Sequence, residues 1–490
     1  MPPSNTETTV VVTSTVKPRA TSFRQKSDSV SNGDFGSFIS GKRADTGAQL
    51  EDIQVKINGK WLNLSKEFVA KHPGGEVINQ YKNADATHIF HAFHEGSQMA
   101  YKQLKVLEDR SSLSYGQHTL ANGRRNSIKA YQSPVALYDI SVEQEMKIVR
   151  NFENLRQQVH AEGLMKQRPT FYLRKILEVA FLMTTAFSLQ YFGWYVCSAL
   201  VLALTWQQLG WLTHEFCHHQ PLKNRRLNDW ASIVFGNVAQ GFSRDWWKDK
   251  HNRHHASTNI IDTDPDIDLA PLVAMVPNDL LKYKEPLEKL VLNIIPYQHL
   301  YFTLMLPLLR ISWTSQSIVH VFSSSSSVYM KDRKHATGER IALALHWTWV
   351  LLQLYLMPSN SVRLMYFLLS QLLGGLLIAL VVTYNHNSVL KYPKDSPLLN
   401  NFAALHILTT RNMKPSTFVD WFWGGLNYQV EHHLFPTMPR PNLGRCSKLV
   451  RQFCADNDLE YLVDDYWTGY KQSLMLLQDV AAVAKKAKDL

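Results

Sequence analysis

Four short stretches hold histidines at spacings that suit metal ligation: HEFCHH (His214, His218, His219), HNRHH (His251, His254, His255), NHN (His386) and QVEHH (Gln429, His432, His433). On an α-helix, residues three and four apart share a face, so HxxxH and HxxHH point two or three imidazoles the same way. A neutral imidazole is the commonest nitrogen ligand for iron, copper or zinc. A structural zinc site needs four ligands and normally uses thiolates as well. Here eight histidines (His214, His218, His251, His254, His255, His386, His432 and His433) and Gln429 lie just beyond apolar runs. That number suits two metals with open positions, which is a redox arrangement. His219 follows His214 by five places, points off the shared face and is left out of the set. The lone histidines His299, His346 and His406 are read as structural, hydrogen-bonded side chains.

The apolar runs must position these groups. Residues 176–213 form a run too long for one membrane span of about 20 residues and long enough for two, with Gly193 as the turn. Arg168, Arg174 and Lys175 precede it and Lys223, Arg225 and Arg226 follow, which puts both ends on the cytosolic side. A second pair, 341–358 and 362–384, is flanked by Lys331, Arg333, Lys334 and Arg340 before and by Lys391 and Lys394 after, with the same consequence. A fifth run, 292–313, contains Pro296, Pro307 and Arg310 and suits either a span or an interfacial segment. Two complete hairpins leave every histidine group on one face. A span at 292–313 would carry the last two groups to the other side, so an interfacial segment is expected there.

Composition narrows the class. At about 150 residues per domain, 490 residues make two to four units. The net charge of +11 suits an anionic membrane face, an anionic substrate or nucleic acid. The basic residues flank apolar runs instead of gathering in one stripe, which speaks against nucleic acid. Cys197, Cys217, Cys446 and Cys454 make no disulfide framework, in keeping with a reducing environment. Residues 1–50, rich in Ser and Thr, read as a disordered tail whose apolar part is too short for a signal peptide.

A second constellation lies in KHPGGEVINQYKNADATHIFHAFHEGS, residues 71–97. The glycines after His72 allow a tight turn beside a planar ligand, and His72 can take an axial position on haem iron. A second axial histidine must come from His88, His91 or His94. HPGG followed by DATHIFHAFH resembles cytochrome b5, and in fused enzymes of that type the second ligand closes an AFH triplet, which implies His94. A bis-histidine haem moves electrons and leaves no position for oxygen.

HEFCH, HNRHH and QVEHH resemble the three histidine boxes of membrane fatty-acid desaturases, and a glutamine opening the third box resembles the front-end members with a fused cytochrome b5. The resemblance covers about residues 50–470. It implies an α-helical multi-span membrane protein: two transmembrane hairpins under a cytosolic, histidine-rich di-iron cap, with a small N-terminal α+β cytochrome b5 domain. The corresponding division is a tail at 1–50, a haem domain at 51–115, a linker or amphipathic segment at 116–170, a desaturase domain at 171–470 and a C-terminal tail at 471–490.

The resemblance further implies two non-haem irons held by His214, His218, His251, His254, His255, His386, Gln429, His432 and His433. It implies haem b on His72 and His94, electrons from NADH through cytochrome b5 reductase, and O2 and a fatty acyl substrate, as acyl-CoA or phospholipid. The expected location is the endoplasmic reticulum membrane, with both termini cytosolic. SRDWWKDKHNRHH looks closest to nematode Δ6 enzymes. A Δ5 acyl desaturase, a Δ8 sphingolipid desaturase or a fused hydroxylase is the alternative; a plain haem carrier would need no histidine boxes. Glu215, Asp245, Asp249, Asp262, Asp264 and Glu431 are candidates to orient the imidazoles.

Overall fold

The structure is a computed structural model, which describes residues 52–113, 138, 140–284, 286–323, 327 and 329–488. The tail expected at 1–50 and the stretch 116–137 of the linker lie outside the described residues. Among the described residues the architecture is helical, with two small two-stranded sheets.

The N-terminal module begins with β1 (Ile53–Ile57) and β2 (Lys60–Leu64), an antiparallel hairpin. Asn58 and Gly59 both have positive φ, as a two-residue hairpin turn requires. Ile53, Val55, Ile57, Leu62 and Leu64 alternate inward and are buried. Next come α1 (Lys66–Lys71), a 3-10 turn at Gly75–Tyr81, α2 (Thr87–His94) and α3 (Gln98–Leu113). Helix α4 (Val142–Ala161) starts at Ser141, whose hydroxyl accepts from the Gln144 amide at 3.1 Å. Its Ile148, Phe152, Leu155 and Val159 share one buried face, so the expected amphipathic segment is a helix on the core.

Helices α5 (Pro169–Tyr191) and α6 (Tyr195–Cys217) make an antiparallel pair, turned at Gly193. After α7 (Arg225–Ser232), a π-helical stretch (Ile233–Gln240) leads into α8 (Arg244–Ala256). The region 286–322 is divided into α9 (Pro286–Val291), α10 (Gln298–Met305) and α11 (Leu309–Phe322). Helices α12 (Arg333–Tyr355) and α13 (Asn360–Val382) follow. The chain closes with α14 (Phe402–Leu408), β3 (Asn412–Met413), α15 (Thr417–Phe422), α16 (Gln429–Leu434), α17 (Arg440–Asp456), β4 (Val463–Asp464) parallel to β3, and α18 (Tyr466–Lys488). The division expected at residue 470 falls inside α18.

Among the described residues, two helices, α6 and α13, are long and apolar enough to cross a membrane. Each has 23 residues, and they pack on each other, with α5 also packed on α6. Helices α5 and α12 have the same length but a more polar start: α5 carries Arg174, Lys175 and Glu178, and α12 opens with RKHATGER. Apolar side chains such as Phe181, Leu177, Leu345, Leu352 and Leu364 stand exposed along this group.

The 292–313 run is not one helix. Short 3-10 turns containing Pro296 and Pro307 interrupt it, because proline lacks the amide donor that a continuous helix needs. Tyr297, Leu300, Leu304 and Leu308 are exposed on one side. Arg310 is buried on the other, its guanidinium 3.8 Å above the Trp206 ring. It donates to Gln371 Oε1 at 2.9 Å and to the Gln240 carbonyl at 2.7 Å. This one side chain ties α11, α13, α6 and the π-helical stretch together. Arg310→Ala should therefore lower the stability of the purified protein by about 2–3 kcal/mol, since it strands buried acceptors. Thermal unfolding in detergent measures it, and a wild-type midpoint would refute the role.

Candidate metal centre and haem module

The histidine groups converge because four chain segments end at the same place. Helix α6 stops at His218 in a Schellman arrangement: the Gln220 amide donates to the Glu215 carbonyl at 3.1 Å and the His219 amide to the Phe216 carbonyl at 3.0 Å. His219 takes the left-handed position, φ +58°, and its ring faces Lys248 and Asp229. It stays outside the cluster, as its spacing implies. Ser243 caps the start of α8, accepting from the Trp246 amide at 3.1 Å. His386 lies in the turn after α13. Helix α16 is set by WFWGGLNY: a Cβ on Gly424 would sit 2.4 Å from the Trp211 ring, so only glycine lets the chain cross α6 this closely.

The imidazoles fall into two groups. Ligating nitrogens of His214, His218, His251 and His432 lie within 4.8 Å of one another, as do those of His254, His386 and His433. Adjacent residues on a helix point about 100° apart, which sends His432 and His433, and likewise His254 and His255, to different sides. His255 stands between the groups, with ring centroids 4.9 Å from His218, 4.8 Å from His432 and 4.1 Å from His433. Gln429 joins the second group: its side-chain amide is 3.2 Å from Nε2 of both His386 and His433.

Buried polar atoms normally have partners. Nε2 of His214, His218 and His432 and Nδ1 of His255 have none. Converging buried nitrogens without partners fit a bound metal, and the donor set of imidazoles plus one amide suits iron. Burial and crowding by neighbouring imidazoles hold His218, His251, His255, His432 and His433 well below the usual imidazole range, which is the neutral, ligating form.

In the N-terminal module, the His72 and His94 rings lie across from each other, centroids 6.1 Å apart and planes at 63°. That leaves room for one metal ion at about 2 Å from each nitrogen. His94 Nδ1 donates to the Phe90 carbonyl at 2.9 Å, which frees Nε2 for a ligand. A Cβ on Gly74 would lie 2.9 Å from the His72 ring, hence the glycine in HPGG. His88 instead packs its ring on Phe152 at 5.1 Å, and His91 bonds Tyr101 and Asn58 at 2.9 Å each. Of the three alternatives, His94 is the one opposite His72.

Residues 192–464 match the fatty acid desaturase family, and residues 44–132 match the cytochrome b5-like heme/steroid binding domain. The chain belongs to the fatty acid desaturase family. It is 58% identical to the Delta(6)-fatty-acid desaturase fat-3 of Caenorhabditis elegans over 88% of this chain and 96% of that one. It is 46% identical to the Delta(5) fatty acid desaturase fat-4 of the same organism, over 89% and 97%. A Delta(8)-fatty-acid desaturase of Euglena gracilis is 36% identical over 82% and 89%. The chain is thus an oxidoreductase of this family, with a haem-type module and histidine clusters that suit iron.

Around the histidines of this desaturase, a set of acceptors fixes each ring. His254 Nδ1 donates to Asp264 at 2.9 Å, His386 Nδ1 to the Thr409 carbonyl at 3.1 Å, and His433 Nδ1 lies 3.2 Å from the Thr258 hydroxyl. All three therefore present Nε2 inward. Burial would lower the His254 pKa, but Asp264 and Asp266 outweigh it and raise it. Asp264 is thus placed as the carboxylate expectation requires. The other candidates have partners elsewhere: Glu215 with Arg440, Asp245 with His320 and Ser327, Asp249 with Arg253, Asp262 with Lys282, and Glu431 with Asn412 and Tyr461.

His346 donates to the Val238 carbonyl at 3.0 Å, as a structural histidine should. His406 likewise has a hydrogen-bond partner, the Thr258 hydroxyl at 3.4 Å, but its ring also lies 5.2 Å from His433, beside the cluster. Nothing in its isolated setting in FAALHIL signals this, because the contact is made across 27 residues of chain. Thr258 and Asn385, which orients the Gln429 amide at 3.1 Å, were equally silent.

Asp264→Asn removes the charge that holds His254. Iron retained per haem after dialysis against a chelator should fall, reflecting about 10-fold weaker binding. A wild-type ratio would show that Asp264 has no hold on the metal.

Proposed function

We propose that this enzyme is a front-end desaturase that inserts a cis double bond between an existing double bond and the carboxyl end of an acyl chain. The regiochemistry, Δ6 on linoleoyl and α-linolenoyl groups, rests on the 58% identity to fat-3. The observation that carries the chemistry is the convergence of two histidine groups in one buried volume, with a facing histidine pair in the same chain.

His214, His218, His251 and His432 would hold one iron and His254, His386, His433 and Gln429 the other, with His255 beside both groups. Iron at these positions supplies oxygen activation and hydrogen removal from adjacent methylenes. The protein's own part is to keep each imidazole neutral and aimed, and to exclude water by burial. His72 and His94 would hold haem b, which supplies one-electron relay. Electrons come from NADH through cytochrome b5 reductase.

Expression in a yeast supplied with linoleic or α-linolenic acid should give the corresponding Δ6 products, and His432→Ala should give none. Double bonds at the fifth or eighth carbon, or a hydroxylated chain, would replace the Δ6 reading with one of its alternatives. Activity retained in His432→Ala would remove the ligand assignment.

The same reading makes the protein multi-pass, in the endoplasmic reticulum, with α5–α6 and α12–α13 as two hairpins. The 292–313 segment lies in the interface through Tyr297, Leu300, Leu304 and Leu308, exposed on one side. The C-termini of α6 and α13 then open onto one face, where the histidines gather. Tags placed before Met1 and after Leu490 should both be cleaved by protease outside sealed microsomes. A protected C-terminal tag would mean an odd number of spans and would defeat this topology.

A further inference from the structure

We propose that electrons pass from the haem module to the histidine cage through a fixed contact, with Phe93 as the bridging side chain and Arg225 as the residue that positions it. The inference rests on the desaturase reading above. Phe93 is the chain neighbour of His94, one of the two facing histidines. Its ring meets His255 edge-on, centroids 6.0 Å apart at 87°. His255 in turn touches both metal groups, through His218 and His432 on one side and His433 on the other. Phe93 thus closes a continuous line of contacts from the haem ligand to the imidazole shared by both groups.

The contact is held, not incidental. Arg225, at the first position of α7, donates through Nη2 to the carbonyls of Phe93 at 3.0 Å and Glu95 at 2.8 Å. These carbonyls bracket His94 at the end of α2, where a helix leaves its acceptors unpaired. On the opposite side, Tyr81 donates its hydroxyl to the Ala256 carbonyl at 3.2 Å, the residue after His255. Between these two pins the module and the cap share one apolar core, in which Ile89 and Phe152 lie with Phe402 and Ala256. A packed aromatic ring fills the gap with atoms in contact, whereas a smaller side chain leaves empty space that an electron must cross.

The step balances simply. For each electron, a ferrous haem becomes ferric and a ferric ion in the cage becomes ferrous, and no atom or proton moves at Phe93. The reductant is a reduced nicotinamide acting through a flavoprotein, and the final oxidant is O2, reduced to water as the acyl chain gives up its hydrogens.

The test uses the full-length holoenzyme, reduced under anaerobic conditions and mixed with oxygen and acyl substrate while haem absorbance is followed. Phe93→Leu, with the haem spectrum and iron content unchanged, should slow haem reoxidation by about tenfold or more. Phe93→Trp, which restores an aromatic ring, should recover most of the rate. Arg225→Gln should also slow it and should speed amide hydrogen exchange at residues 93–96. A wild-type rate in Phe93→Leu, or a Phe93→Trp rate as low as that of Phe93→Leu, overturns the bridge. If Phe93→Leu loses its haem spectrum, Arg225→Gln decides, and a wild-type rate there overturns the proposal. Failure of the desaturase reading is separate: it would appear as missing iron or product in the unsubstituted protein.

Discussion

Eight imidazoles can share one buried volume only if they stay almost entirely uncharged. Every extra proton there would place a cation against its neighbours with no water to screen it. The rest of the structure serves this constraint. Burial keeps His218, His251, His255, His432 and His433 neutral. The exception is His254, where the carboxylates of Asp264 and Asp266 outweigh burial and raise its tendency to take a proton. The acceptors on Nδ1 of His386 and His433 then decide which nitrogen faces inward, so tautomer and direction are set together.

Holding the histidine-bearing segments at one point requires long-range ties. Glu215, in the box at the end of α6, pairs with Arg440 at the start of α17, with Nη2 to Oε2 at 2.7 Å. The Arg440 amide also donates to the Tyr172 hydroxyl on α5 at 3.1 Å. A buried pair of this kind is costly to break from one side, by about 3–5 kcal/mol. It positions the first and third boxes relative to each other without touching a metal. Asn412 does similar work behind α16, donating to Glu431 at 2.8 Å and accepting from the Val430 amide at 2.8 Å.

Local signals in the sequence were read well, and contacts across the chain were not. The HxxxH and HxxHH spacings carry their geometry within one or two helical turns, so the clustered histidines and the exclusion of His219 were legible. The Asn58–Gly59 turn and the HPGG glycines are equally local. His406 was set aside because a single histidine in an apolar helix has no pattern; it meets His433 only through the tertiary fold. The division of Gln429 and His433 from His432 follows from helical rotation, but which group each joins depends on where α6 and α13 end. The break-up of 292–313 was half visible in its prolines. The burial of Arg310 over Trp206 was not, because it depends on a partner more than 100 positions away.

The apolar core shared by the N-terminal module and the cap has a consequence for regulation. Separate redox partners find each other by charge, and their encounter weakens as ionic strength rises. Here the joining surface is largely hydrocarbon, with Ile89, Phe152, Phe402 and Phe435 in one cluster. The meeting of donor and acceptor is intramolecular and permanent, at a local concentration fixed by the fold. On the electron-relay reading proposed above, delivery of each electron is then a first-order event set by the fold, and its supply is controlled upstream, where the module itself is reduced.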